Sequence, residues 1–252
     1  MTPSTDDTRR RAARQMIEID RLFGVGFVPA PPDQARATTG SVAPESLVTA
    51  DNGRADALDA LRLRHDSECA HCVNATYHTQ TVFGEGDPNA DLMFIGEAPG
   101  AEEDRTGRPF VGRAGQLLER MINAMGLSRE EVYIANILKS RPPNNATPTP
   151  AEVDKCSPFL VEQIRIIQPK AIVALGSPSA KFLLSTTTGI SKLRGQWHSL
   201  AIAPDLEVEV MPTFHPAYLL RQYTPDNRQK VWSDLQKVMD RLGLEAPASR
   251  GS

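Results

Sequence analysis

The sequence predicts an α/β protein of three layers, α/β/α, with helices on both faces of a central, mostly parallel four-stranded sheet. Three observations carry this expectation. Apolar runs of strand length occupy residues 92–95, 132–137 and 170–176, and an alternating strand pattern occupies 206–210. Stretches with helical spacing separate or follow them: Leu117, Leu118, Met121, Ile122 and Met125, then Val153, Cys156, Leu160, Ile164 and Ile167, then Val231, Leu235, Val238 and Leu242. Such alternation builds parallel strands joined by helical crossovers. The composition agrees, with 40% hydrophobic and 23% charged residues in a chain of 252, enough for a substantial core.

In chain order, residues 8–23 read as a helix, with Met16, Ile19 and Phe23 on one stripe beside Arg9, Arg10, Arg11 and Arg14. From 28 to 52, Pro29, Pro31, Pro32, Gly40 and Pro44 among few large apolar residues mark a linker. A short helix is expected near 55–64. A strand pair is expected around 79–83 and 91–95, joined by Gly84-Glu85-Gly86-Asp87-Pro88-Asn89. Gly126 suits the left-handed residue that ends the helix carrying Leu117, Met121 and Met125. Thr149 as N-cap, Pro150 at the first helical position and Glu152 reaching back open another helix. Ser177-Pro178 starts a short helix ending near Ser185. Leu206, Val208 and Val210 alternate with Glu207 and Glu209, a strand with one wet face. The last helix starts at Thr224-Pro225 and stops at Gly243. These readings divide the chain into an N-terminal helix and Pro-rich linker (1–54), a single α/β domain (55–244) and a tail (245–252).

Net charge is −3, so any affinity for nucleic acid must come from a local patch. No apolar run approaches the roughly 18 residues of a membrane span, and the polar start, Met1-Thr2-Pro3-Ser4-Thr5, lacks an apolar signal core. A cytoplasmic location without membrane association is the expectation. Three cysteines cannot all pair, so they read as thiols or metal ligands. Cys69-Ala70-His71-Cys72 has the C-x2-C spacing that lets two thiolates share one metal or cluster. It also fits a redox pair or two unrelated thiols.

Three positions fall at or just past the ends of expected core strands: Glu97, Asn136 and His215. Parallel strands bring these ends to one rim, where α/β proteins bind ligands. A carboxylate, an amide and an imidazole there suit recognition of a heterocycle and stabilisation of developing charge. Each also has a plainer use: Glu97 as a counter-ion, Asn136 as a turn-bonding amide, His215 as a core histidine.

Four separated motifs occur in order: Gly96-Glu97-Ala98-Pro99-Gly100, Gly107-Arg108-Pro109-Phe110-Val111-Gly112, Asn136 with Arg141-Pro142-Pro143-Asn144-Asn145, and His215-Pro216-Ala217-Tyr218-Leu219. Over about residues 55–242 the chain resembles family 4 uracil-DNA glycosylases, the iron–sulfur enzymes of base excision repair. The resemblance implies excision of uracil from single- or double-stranded DNA by a monomer, leaving an abasic site. It implies His215 as donor to uracil O2, Asn136 as partner of the uracil edge, Phe110 as the ring stacked on the base, and backbone N–H groups near Glu97 and Ala98 as further contacts. Glu97 is the expected water or sugar positioner, with Glu103 supporting or alternative. Arg141, Lys192, Arg194 and Arg221, with Lys139, are the expected DNA-contacting cations.

The resemblance also implies a 4Fe–4S cluster. Cys69, Cys72 and Cys156 match three of the family's four cysteine ligands, and Ser140 stands in the fourth position. The readings for that site are a cluster on three cysteines completed by Ser140 or water, a three-iron cluster, a zinc ion using His71, or an emptied site. Two other functions compete with excision. One is a covalent or non-catalytic binder of uracil-containing DNA, though the extra histidine-bearing loop that marks such relatives is absent around 190–197. The other is a degenerate interaction module.

Overall fold

The three apolar runs are buried on both faces and form the middle of one sheet, and the alternating strand joins them with its glutamates on a wetter face. The computed structural model describes residues 52–245, so the expected helix at 8–23, the linker and the last residues of the tail lie outside the described residues. The elements are α1 (Asn52–Glu68), β1 (Glu85–Gly86), β2 (Leu92–Gly96), α2 (Ala101–Thr106), α3 (Arg113–Ala124), β3 (Tyr133–Asn136), α4 (Pro150–Ile167), β4 (Ala171–Leu175), α5 (Gly176–Leu183), α6 (Ile190–Leu193), β5 (His198–Ala203), β6 (Leu206–Thr213), α7 (Pro216–Arg221) and α8 (Pro225–Leu242). The sheet has six strands in the order β1-β3-β2-β4-β6-β5. Its four inner strands are parallel, with Gly96 opposite Asn136 and Leu175 opposite Thr213. The two edge strands run antiparallel to their neighbours.

Alternation along β2 divides the core into two layers. Leu92 and Phe94 pack with Leu117, Met121, Val231 and Leu235 of α3 and α8. Met93 and Ile95 point the other way, into Leu58, Leu160, Ile164 and Ala180 of α1, α4 and α5. This is the expected three-layer arrangement. The Thr149 hydroxyl accepts from the Glu152 N–H and Glu152 caps back, as the sequence indicates. Thr224 caps α8, and Gly243 ends it in the left-handed conformation. No helix among the described residues is long and apolar enough to cross a membrane.

Two local expectations are corrected. Residues 79–83 are not a strand. Their polar groups turn instead to a buried carboxylate: Asp104 accepts from the Thr79 N–H at 2.7 Å and hydroxyl at 3.1 Å. The first strand is Glu85–Gly86, and it pairs with β3 rather than β2. The second correction is β5, which the sequence reading lacks. It is a half-exposed edge strand, hairpinned to β6 across Pro204-Asp205, so it has no continuous apolar run.

Candidate active site

Because β2, β3 and β6 share one direction, their carboxyl ends deliver Glu97, Asn136 and His215 to a single rim. There they line a cavity of about 320 Å³ together with Ala98, Glu103, Phe110 and Arg221, a volume suited to a small ligand. A second cavity of about 460 Å³ shares Glu97, His215 and Arg221 and extends over Ser191 and Tyr218. The two form adjoining parts of one depression.

The slot is built by close approach. A Cβ on Gly96 would lie 2.3 Å from Asn136 Oδ1 and 2.5 Å from Phe110 Cζ. Gly115 likewise lets α3 start directly against the Phe110 carbonyl, where a Cβ would sit 1.9 Å from the oxygen. Phe110 itself has φ of 51°, a conformation that costs a non-glycine residue about 1–3 kcal/mol. Arg129, which the sequence reading does not single out, holds that turn. Its guanidinium donates to the carbonyls of Pro109 and, at 3.0 Å, of Phe110. It is itself paired with Glu85 at 2.9 Å. The buried Phe110 ring thus faces the imidazole of His215, centroids 5.6 Å apart and planes 34° apart.

His215 caps α7. Its Nδ1 accepts from the Ala217 N–H at 3.0 Å, which assigns the ring proton to Nε2. Burial first, and then the Arg221 charge, bring its pKa down to about 4 against the opposing pull of Glu103. The imidazole is therefore neutral at pH 7, with Nε2–H free to donate. Burial raises the pKa of Glu97. Among the described residues, neither Glu97 Oε1 nor Asn136 Oδ1 has a hydrogen-bond partner, though both are buried. An unpaired buried acceptor costs about 1–3 kcal/mol, so these two atoms are set for a ligand.

Glu103 lines the cavity but is committed to the backbone. It accepts from Gly100 at 3.1 Å and from Val111 and Gly112 at 2.9 Å each. It clamps the two glycine-rich motifs together.

The expected cations divide. Arg221 and Lys192 are exposed, and Arg221 borders both cavities. Arg141 is half-buried and donates to Asn145 Oδ1 at 2.8 Å. Two others are corrected. Arg194, half-buried, is spent on an ion pair with the buried Asp234, its Nε 3.0 Å from Oδ2. Asp234 also accepts from Thr213 Oγ1 at 2.6 Å, so the pair anchors the end of β6 just before His215. Lys139 is fully buried, donating Nζ to the Asn136 carbonyl at 2.9 Å and to Gln163 Oε1 at 2.5 Å. Burial brings its pKa down to about 8.

Behind this segment lies a pocket of soft donors. One ligand atom each from His65, Cys69, Cys72 and Cys156 lies within 4.8 Å of the others, and all four residues are buried. The sulfurs of Cys72 and Cys156 are 3.8 Å apart. The Lys139 N–H donates to Cys156 Sγ at 3.2 Å. Ser140 is fully buried, its Oγ 3.4 Å from Cys72 Sγ. The imidazole of the group is that of His65, not His71, which replaces the zinc reading's histidine. The helical bond from the Cys69 N–H to the His65 carbonyl, 3.0 Å, puts these two side chains one turn apart on one face. Three thiols and an imidazole, buried and convergent, fit a metal centre.

The sequence profile of the Uracil DNA glycosylase superfamily matches residues 83–236. The chain belongs to this superfamily. A type-4 uracil-DNA glycosylase of Thermotoga maritima is 45% identical over 68% of this chain and 88% of its own length. One of Archaeoglobus fulgidus is 40% identical over 76% of this chain and 96% of its own. A type-5 uracil-DNA glycosylase of Pyrobaculum aerophilum is less similar, 35% identical over 53% and 64%. The likeness is therefore to the type-4 group. The matched superfamily region contains the whole slot, Ser140 and Cys156, whereas His65, Cys69 and Cys72 precede it.

Proposed function

We propose that this superfamily member excises uracil from DNA by hydrolysis. The observation that carries the reading is the convergence of Glu97, Asn136 and neutral His215 on one cavity floored by Phe110, with two buried acceptors left unpaired. A base within a duplex cannot reach such a slot, so the nucleotide swings out of the stack first, at a cost of a few kcal/mol. The uracil ring then stacks on Phe110. Asn136 Oδ1 accepts from N3–H, and its amide nitrogen donates to O4. Cytosine presents the reverse pattern and would leave both groups unpaired, which is the basis of discrimination.

As the glycosidic bond between C1′ and N1 lengthens, the sugar becomes cationic and the uracil anionic. His215 Nε2–H donates to O2 and holds that charge without giving up its proton. A neutral ring suits this, since its remaining proton is not acidic enough to transfer. The Glu97 carboxylate holds a water beneath C1′ and takes its proton as the water oxygen bonds to carbon. Uracil leaves with the bonding pair on N1 and is protonated afterwards. Arg221, Lys192 and Arg141 supply phosphate contacts along the depression.

The cofactor we assign is a 4Fe–4S cluster, held by Cys69, Cys72 and Cys156. Bound there it would staple the segment just after α1 to α4, against the loop that follows β3. Lys139 extends that staple toward the slot, since its N–H meets Cys156 and its Nζ the Asn136 carbonyl.

Incubation with uracil-containing single- and double-stranded oligonucleotides, followed by alkali, tests the reading. Strand scission at uracil, and none at cytosine or thymine, is expected. A denaturant-resistant adduct would show a covalent binder instead, and an intact strand a non-enzymatic module.

A further inference from the structure

The chain lacks the fourth cysteine that the resemblance implies, yet its pocket of soft donors already holds a fourth donor. Resting on the metal-centre reading above, we propose that His65, and not Ser140, is the fourth protein ligand of that centre. Four observations converge. The His65 side chain is fully buried, and its Nε2 has no partner among the described residues. The same residue supplies a ligand atom to the group with Cys69, Cys72 and Cys156. Its Nδ1 lies 2.9 Å from the Asp66 carboxylate, which fixes the proton on Nδ1 and leaves the Nε2 lone pair for a metal. Metal-bound histidines characteristically carry such a carboxylate behind them. Asp66 is in turn fixed by the Thr81 hydroxyl at 2.8 Å. Finally, the ring is wedged in place, edge-on to Phe159 at 4.9 Å and 90°.

Ser140 is disfavoured by chemistry and by place. A serine hydroxyl must lose a proton of very high pKa to bind as an anion, and neutral it is a weak, hard donor to iron. Imidazole binds as it stands and suits iron and zinc alike. At 3.4 Å from Cys72 Sγ, the Ser140 hydroxyl is placed to donate to that sulfur once it is a thiolate. It then acts as a hydrogen-bond partner of a ligand. Neutral imidazole for thiolate makes the centre less negative, which raises its reduction potential.

The test uses anaerobically purified protein grown with 15N-histidine. Iron and sulfide are counted, the centre is reduced by one electron, and pulsed electron paramagnetic resonance looks for a directly bound nitrogen. The expected result is a strong nitrogen coupling in the wild type and in Ser140→Ala. His65→Cys should keep the cluster, lose the coupling and shift the midpoint potential downward. His65→Ala should lose the coupling or the cluster. A four-iron cluster without bound nitrogen, or a spectrum altered by Ser140→Ala and untouched by His65→Cys, overturns the proposal. Zinc in place of iron and sulfide would overturn the cluster assignment but not His65. Imidazole scattering at the zinc edge, lost in His65→Cys, would then uphold it, and its absence would overturn it. Protein without any metal overturns both.

Discussion

Residues 136–140 join two buried sites that treat their polar atoms in opposite ways. At one end Asn136 turns an unpaired oxygen toward the slot, beside the unpaired oxygen of Glu97. At the other, Lys139 and Ser140 are fully buried against sulfur, with their neighbours Leu138 and Cys156 packed as a small core. The slot keeps two buried acceptors without a protein partner, a local cost in stability of the kind binding sites carry. The metal pocket gathers donors that a metal would satisfy, so occupancy there is folding energy. Changes in the pocket should therefore be read as stability, and changes in the slot as rate.

The sharpest break of that contrast is Cys156→Ala. Loss of a structural metal worth on the order of 5 kcal/mol would lower the melting temperature by roughly 10–20 °C, measured by calorimetry, with activity falling only as protein unfolds. His215→Ala should do the reverse. Excision in single turnover is expected to slow by about 10²–10³-fold, with melting within a few degrees of wild type. Glu97→Gln should slow excision by about 10²-fold at pH 7 and flatten the acid limb of the pH–rate profile. Burial raises the Glu97 pKa, so falling pH protonates it, and rate is lost, above the ordinary glutamate range. His215, with a pKa of about 4, stays neutral through most of that fall, so a limb that survives Glu97→Gln would refute the assignment.

Smaller effects refine the same contrast. In Gly96→Ala the new methyl must displace Asn136 and Phe110. A displacement of about 1 Å costs up to about 10²-fold in rate, and a crystal structure of the variant would show it. At the low end, Lys192→Ala should reduce the slope of log binding constant against log salt by about 1. Arg194→Ala should leave that slope alone and lower the melting temperature, because the buried Asp234 loses its partner.

Much of this was open to reading from the residues, for physical reasons. β2 and β4 are continuous apolar runs because both their faces are covered. The caps of α4 and α8 are local chemistry, complete within a few residues. Glu97, Asn136 and His215 stand out because position past a strand end is itself a local property. Other features depend on what the fold brings near. Thr79 and Gln80 resemble the start of a strand until Asp104 arrives from α2. A lysine or arginine looks alike whether solvated, as Lys192 is, or turned to partners inside the fold, as Lys139 and Arg194 are. Arg129 works on carbonyls 19 and 20 residues away, which no local pattern encodes. His65 did leave a trace, one helical turn before Cys69, but a lone histidine on a helix has many commoner uses.

The central claim is that one slot, formed by three strand ends, both selects and releases uracil. Single-turnover excision from a uracil–guanine oligonucleotide by His215→Ala and Asn136→Ala, each checked for wild-type melting, tests it most directly. The account predicts that both folded variants are slower by 10²-fold or more. Wild-type rates from either one would contradict it.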